Sequence, residues 1–275
     1  MLLTVVSPAD EIFLRYGKEE KDGKKTTVLK SVRGKIDPDK NTSPSKVVYT
    51  VTGGDREIDT SNVSGIAFDR EDPGFGAIRG HTDNGEYPEA MEQYEKLAAA
   101  VKGKQVTLAT PALEAEFAFL GAYLPAMQLL EGSANLPPGP IAAKLNDFIA
   151  KNPQNFRFYL ANETAGRMST FIPGDKLEYA KKFYGRLAAD RESKEIAYRG
   201  KLLMARAMIR DKQYPPAVAL LQPMVTESTI SGRGMAAASR AGESRIGRSD
   251  RPRGQPRRRI ENVISHDRAD PRGRR

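Results

Sequence analysis

The side chains of this chain that are suited to chemistry are few and scattered. His81 and Asp83 stand two residues apart, just before Gly85. An imidazole and a carboxylate at that spacing can act as an acid/base pair. No nucleophile or third orienting group is identifiable nearby, so a polar, solvent-facing turn is the simpler reading. Glu114 and Glu116 are also two apart, and on a helix such carboxylates diverge instead of sharing a proton. Gly74-Phe75-Gly76-Ala77-Ile78-Arg79-Gly80 has glycines spaced like a dinucleotide loop, but Arg79 stands where the third Gly belongs and no βαβ unit surrounds it. The stretch from Gly17 to Lys24 has five residues between its two glycines where a phosphate loop needs four, and Lys25 replaces the Ser or Thr. The chain has no Cys and only His81 and His266, which excludes disulfides, thiolate chemistry and a multi-histidine metal site. No cofactor, metal or catalytic residue is expected, and the protein reads as non-enzymatic.

The net charge of +9 is unevenly spread along the 275 residues. Residues 228–275 hold 13 Arg against 5 acidic residues, whereas everything before them is close to neutral. Lys disappears after Lys212 while Arg becomes dense, a change that a reading-frame shift can produce. The composition of 228–275 predicts a disordered Arg-rich tail, since it cannot bury enough apolar surface to order itself. Such a tail is also a candidate for weak nucleic-acid binding. At the other end, the apolar Met1–Val6 followed by Ser7-Pro8-Ala9 matches only the last part of a secretory signal. The protein is cytoplasmic as encoded, and exported if Met1–Ala9 is the remnant of a signal peptide. The apolar run from Phe117 to Leu130 is too short for a membrane span and is interrupted by Pro125.

Periodicity divides the remainder into two parts. Residues 10–70 read as β structure. A strand over Glu11–Tyr16 is followed by a charged turn, Lys18–Lys25, and a strand over Thr26–Ile36. Beyond a loop at Asp37–Ser45, Lys46–Thr52 alternates with Val47, Tyr49 and Val51 on one face. Gly53-Gly54 makes a hairpin turn into a strand through Ile58, and a turn at Thr60-Ser61-Asn62 leads to a last strand over Val63–Phe68. Five short strands in so few residues predict a small five-stranded β-barrel. The architecture resembles an SH3-like or Sm-like barrel, which would carry RNA as an alternative partner. No aromatic stacking platform accompanies it, and Tyr16, Tyr49 and Phe68 read as core.

Residues 71–227 read as helical, in the pairs 71–97, 113–151, 153–189 and 194–227. Tyr87-Pro88-Glu89-Ala90 and Tyr214-Pro215-Pro216-Ala217 share a Tyr, a Pro suited to the first helical turn, and a small Ala with large apolar residues four and seven beyond it. A partial copy centres on Ala180, 37 residues before Ala217, and a degenerate one on Ile141–Ile149. Ahead of Ala217, Met204, Ala205 and Met208 supply a large–small–large pattern. These stretches resemble the second helices of tetratricopeptide-type hairpin repeats. That resemblance implies an α-solenoid whose first helices line a concave, partner-binding surface. On those helices it singles out Arg157, Asn162, Glu163, Arg199 and Arg206, with Arg suited to an acidic group or a C-terminal carboxylate. The whole chain is thus expected to be an α+β protein, with a barrel over 10–70, a tetratricopeptide-like repeat domain over 71–227 and a tail over 228–275. Its expected function is a non-catalytic scaffold for an unknown protein or peptide partner, with RNA association through barrel or tail as the alternative.

Overall fold

The strict alternation of Lys46–Val51 gives that segment one apolar face and one polar face, which suits a strand covered on one side. In a computed structural model of the chain, it lies within a five-stranded antiparallel sheet. The structure describes residues 9–14, 18–21, 24–27 and 31–231. The strands are β1 (Asp10–Leu14), β2 (Lys18–Lys21), β3 (Lys24–Thr27), β4 (Ser31–Ile36), β5 (Lys46–Val51), β6 (Gly54–Asp59) and β7 (Val63–Ala67). The large sheet has the order β6-β5-β4-β1-β7, while β2 and β3 pair only with each other. The charged hairpin turn read at Lys18–Lys25 thus carries two short paired strands of its own. The described parts of the strand expected over Thr26–Ile36 belong to β3, through Thr27, and β4, from Ser31, and residues 28–30 lie outside the described residues. Gly53 and Gly54 turn β5 into β6 with φ of 111° and 121°, values open to glycine at little cost. Gly34 on β4 makes room for the Tyr49 ring, because an added Cβ would lie 2.5 Å from Tyr49 Cδ2. Ile12, Val47, Tyr49, Val63 and Ile66 form the buried core of the sheet.

The expected barrel is not closed. Closure would require β6 to pair with β7, and neither strand is suited to it. β6 reads Gly-Asp-Arg-Glu-Ile-Asp and has only Ile58 to offer an interior. Its carboxylates instead bind lysines at the surface, Asp55 with Lys40 and Glu57 with Lys46, both at 2.8 Å. Such charges are a usual way to keep an edge strand from pairing further. The outer edge of β7 is occupied by arginine side chains from the helices, as described below.

Among the described residues, eight α-helices follow: α1 (Pro73–Asn84), α2 (Tyr87–Lys102), α3 (Pro111–Leu130), α4 (Pro138–Lys151), α5 (Phe158–Arg167), α6 (Lys176–Ala188), α7 (Lys194–Arg210) and α8 (Tyr214–Ser231). Their starts are marked in the sequence. Asp72, Thr110, Asp175 and Ser193 each accept a hydrogen bond from a first-turn N–H, and Pro occupies the opening turn of α1 to α4. Gly85 closes α1 in the left-handed region with φ 77°. Each helix packs on the next along the chain, and α3 also touches α5. Its residues from Phe119 to Leu129 are all buried, as expected of a helix that is apolar all round. Among the described residues, no helix is long and apolar enough to cross a membrane. The tail expected from Ser228 lies outside the described residues from 232 onward, as does the start of the chain through Pro8.

Candidate functional site

The seam between sheet and helices is built around the free edge of β7. Its carbonyls at Ser64 and Ile66 point away from the sheet and would cost free energy if buried without a donor. Arg157, just before α5, donates from Nη1 to Ser64 O at 3.1 Å, and Arg79 of α1 donates from Nη1 to Ile66 O at 2.9 Å. Gly65 lies between them, and a Cβ there would fall 3.2 Å from Arg79 Cδ. Each guanidinium is neutralised on its helical side. Arg157 grips Glu116 of α3 with both Nε and Nη2, at 3.1 and 2.7 Å, and Arg79 pairs with Glu71. The Arg157 guanidinium also stacks over Phe156 and Phe119, 4.7 and 5.0 Å from the ring centroids. Burial opposes its charge, but Glu116 outweighs that penalty and holds its pKa above the usual value. The sheet is thus joined to three helices by two charge-compensated arginines.

A second set of bonds joins the β4–β5 loop to the loop between α6 and α7. Asp190 Oδ2 accepts from Ser45 Oγ at 2.7 Å and from the Tyr159 hydroxyl, while Oδ1 accepts from the backbone N–H groups of Glu192 and Ser193 at 3.0 and 2.6 Å. Partial burial works against the Asp190 charge, but those four donors prevail and its pKa is lowered. Burial and the Asp190 carboxylate push the Tyr159 hydroxyl well above its ordinary value. A Ser, a Tyr and an Asp in mutual contact suggest catalysis, yet Ser45 is fully enclosed and every oxygen is committed to holding the two loops together. Nearby, Ser43 donates to Glu192 and Ser61 to Glu195. Between these contacts is a cleft of about 60 Å³, bordered by Thr60, Ser61, Tyr159, Glu163, Glu195 and Arg199. That volume holds a few waters and falls far short of a small-molecule site.

The five residues singled out in the sequence have separate fates. Arg157 sits in the seam, buried and paired. Asn162 is fully buried, donating to Phe158 O at 2.8 Å and accepting from Arg186 at 3.2 Å. Glu163 of α5 and Arg199 of α7 meet in a two-pronged ion pair at 2.6 and 2.9 Å beside the cleft. Arg206 is half-buried further along α7. His81 and Asp83 lie in the last turn of α1 and not in the connecting turn expected from the sequence, and His81 hydrogen-bonds Glu86 at 2.8 Å. Comparison with protein-family models, curated proteins and solved structures returns no match.

Sequence reasoning missed Glu116, Tyr159 and Asp190. A signal existed for Glu116, because a carboxylate that falls between Ala115 and Phe117 at the start of a long apolar run must find a partner once that run is buried. On α7, Glu195, Arg199, Leu202, Arg206 and Ile209 follow the three-and-four spacing of one helix face. The opposite face, with Leu203, Met204 and Ala207, packs on α6. The face away from α6 begins at the cleft and ends at Ile209, a large apolar residue that is 44% exposed.

Proposed function

We propose that this protein is a non-catalytic binding scaffold, a tetratricopeptide-like stack of helical hairpins that receives an extended or helical peptide along α7. The observation that carries this reading is the α7 stripe of Leu202, Arg206 and Ile209 beyond the Glu163–Arg199 ion pair, which sets one cationic group beside apolar ones on a face that runs from half-buried to exposed. Such a face suits a peptide with apolar anchors and an acidic side chain or C-terminal carboxylate. The repeat reading draws support from the small residues. Ala90, Ala180 and Ala217 occupy matching places in α2, α6 and α8 and are 0%, 1% and 1% exposed. Gly200 lets α7 approach the backbone of Leu187 and Ala188 closely.

Residues 157 and 162 belong to the frame in this reading, and the recognition surface is shifted toward Arg206. Panning a random peptide library on the full chain tests it. Enriched peptides are expected to combine an acidic group with apolar residues. Arg206→Glu should weaken them about tenfold or more, since a charge-assisted hydrogen bond contributes about 1.5–3 kcal/mol. Failure to enrich peptides above an unrelated protein, or indifference to Arg206→Glu, overturns the reading.

Association with RNA is the competing reading, and its support comes from the charge of residues 228–275. On the sheet, Lys40 and Lys46 are already paired with Asp55 and Glu57, so their charges are compensated. RNA binding through the tail would weaken steeply as salt rises.

A further inference from the structure

The cleft beside the Glu163–Arg199 pair has a chemistry that the α7 stripe leaves unused. It lies where the turn between β6 and β7 meets α5 and α7, and its walls carry the carboxylates of Glu163 and Glu195 against the single guanidinium of Arg199. Glu163 holds Arg199 by Nε and Nη2, so the walls retain one negative charge in excess. Glu195 accepts from the Ser61 hydroxyl at 3.2 Å and has no cationic partner among the described residues. Besides burial, the charges of Asp190 and Glu192 hold the Tyr159 hydroxyl on the same wall above its ordinary value, which marks the local field as negative. Arg191 and Lys194 alternate with these carboxylates but are exposed and do not border the cleft. The positive end of the α7 dipole is already met by Asp190, which accepts from the Ser193 N–H at 2.6 Å. Thr60, 6% exposed, also stands on the wall, and its Oγ1 is buried with no hydrogen-bond partner among the described residues. An orphaned hydroxyl of this kind costs free energy until a partner reaches it. Phe156, Leu160 and Ile196 supply the apolar part of the lining.

We propose that this cleft is an anchor site for a lysine side chain of the bound peptide, with the methylene stem along Leu160 and Ile196 and the ammonium at Glu195. The inference rests on the peptide-scaffold reading and adds a basic anchor to the acidic group assigned to Arg206. An apolar stem with a cationic tip matches walls that are apolar in part and carry excess negative charge. The ammonium brings three N–H donors, and Glu195, Glu163 and Thr60 Oγ1 offer acceptors, so Thr60 gains the partner it lacks. An anion fits poorly, since it would face two carboxylates and find Nε and Nη2 of Arg199 already given to Glu163. The space of about 60 Å³ is too small for a whole ligand, and it suits a compact ammonium better than a planar guanidinium. Glu195 and Arg206 lie on one face of α7, eleven residues or about 16 Å apart. An extended peptide covers that distance in about five residues. The recognised peptide therefore pairs a lysine with an acidic group about five positions away.

N-acetyl-lysinamide tests the site on the full chain without any peptide, and N-acetyl-norleucinamide, which has the same stem and no ammonium, is the control. In nitrogen–proton NMR correlation spectra the lysine compound is expected to move the backbone signals of Ser61, Glu195, Ile196 and Arg199. A ligand of this size should show a dissociation constant of about 1–10 millimolar. The norleucine compound should leave those signals in place. Glu195→Gln keeps an acceptor for the Ser61 hydroxyl, so its far-UV circular dichroism should match wild type while the lysine compound binds about tenfold more weakly or worse. Thr60→Val removes the orphaned acceptor and should also weaken binding. Signals that stay still at about 50 millimolar, equal movement with both compounds, or unchanged binding by Glu195→Gln overturns the inference. Neither compound carries an acidic group, so this failure is distinguishable from failure of the scaffold reading, which shows in the response of peptides to Arg206→Glu.

Discussion

Replacing Glu116 with Ala removes the carboxylate from the buried seam and leaves the Arg157 guanidinium with one carbonyl and two aromatic faces. The Glu116 side chain is 1% exposed and that of Arg157 9%, so water cannot replace the lost partner without opening the seam. Breaking a buried pair in this way costs about 3–5 kcal/mol. Against a whole-domain stability of about 5–15 kcal/mol, that is a large fraction. The double variant Glu116→Leu with Arg157→Met should behave differently. It removes both charges and fills the space, an exchange that ranges from neutral to about 4 kcal/mol stabilising. It also strips the donor from Ser64 O, which costs about 1–3 kcal/mol. The two effects nearly cancel, and the double variant is expected within about 2 kcal/mol of wild type. Urea unfolding followed by circular dichroism and tyrosine fluorescence measures all members of the cycle. A cost below about 1 kcal/mol for Glu116→Ala, or a double variant equal to the sum of its singles, would refute the clamp.

Two glycines in the same hairpin stack should respond in opposite directions. Gly200→Ala drives a methyl into the backbone of Leu187 and Ala188 and should cost about 1–3 kcal/mol or more, whereas Gly185→Ala meets open space on α6 and should stabilise by about 0.5–1 kcal/mol. Equal effects in denaturant titrations would count against the close α6–α7 approach. Asp190 has a lowered pKa, so its contribution is complete above the ordinary carboxylate value near 4 and is lost as pH falls through the lower folded-state value. The stability gap between wild type and Asp190→Asn is therefore expected to be constant near neutrality and to close in acid. A gap independent of pH from 7 down to 2 would argue against an ionised Asp190 tying the loops together.

Local structure was legible in the sequence where local rules decide it. Val47, Tyr49 and Val51 announce a strand by alternation, and Gly53-Gly54 announces its turn. Asp175 announces a helix start, and the Tyr-Pro-x-Ala stretches mark α2 and α8. What failed depended on long-range partners. An open sheet and a closed barrel have the same strands, and the difference lies in Arg79 and Arg157 reaching the β7 edge from far along the chain. Arg157 and Asn162 are polar residues on or beside α5, and polarity alone does not distinguish a recognition surface from a seam. Only knowledge that Glu116 lies opposite makes the distinction. The charged segment 18–27 is legible as a hairpin turn but not as two strands, because its residues lack the apolar alternation that marks a half-buried strand.

The central claim is that the α7 stripe recognises a partner's acidic group through Arg206. A charge-swap titration tests it most directly. The tightest peptide from panning is titrated calorimetrically into wild type and Arg206→Glu, and then repeated with its acidic residue changed to Lys. The account predicts at least a tenfold loss on either single change and recovery of most of that loss when both are made. Losses that persist or add in the doubly changed pair would contradict it.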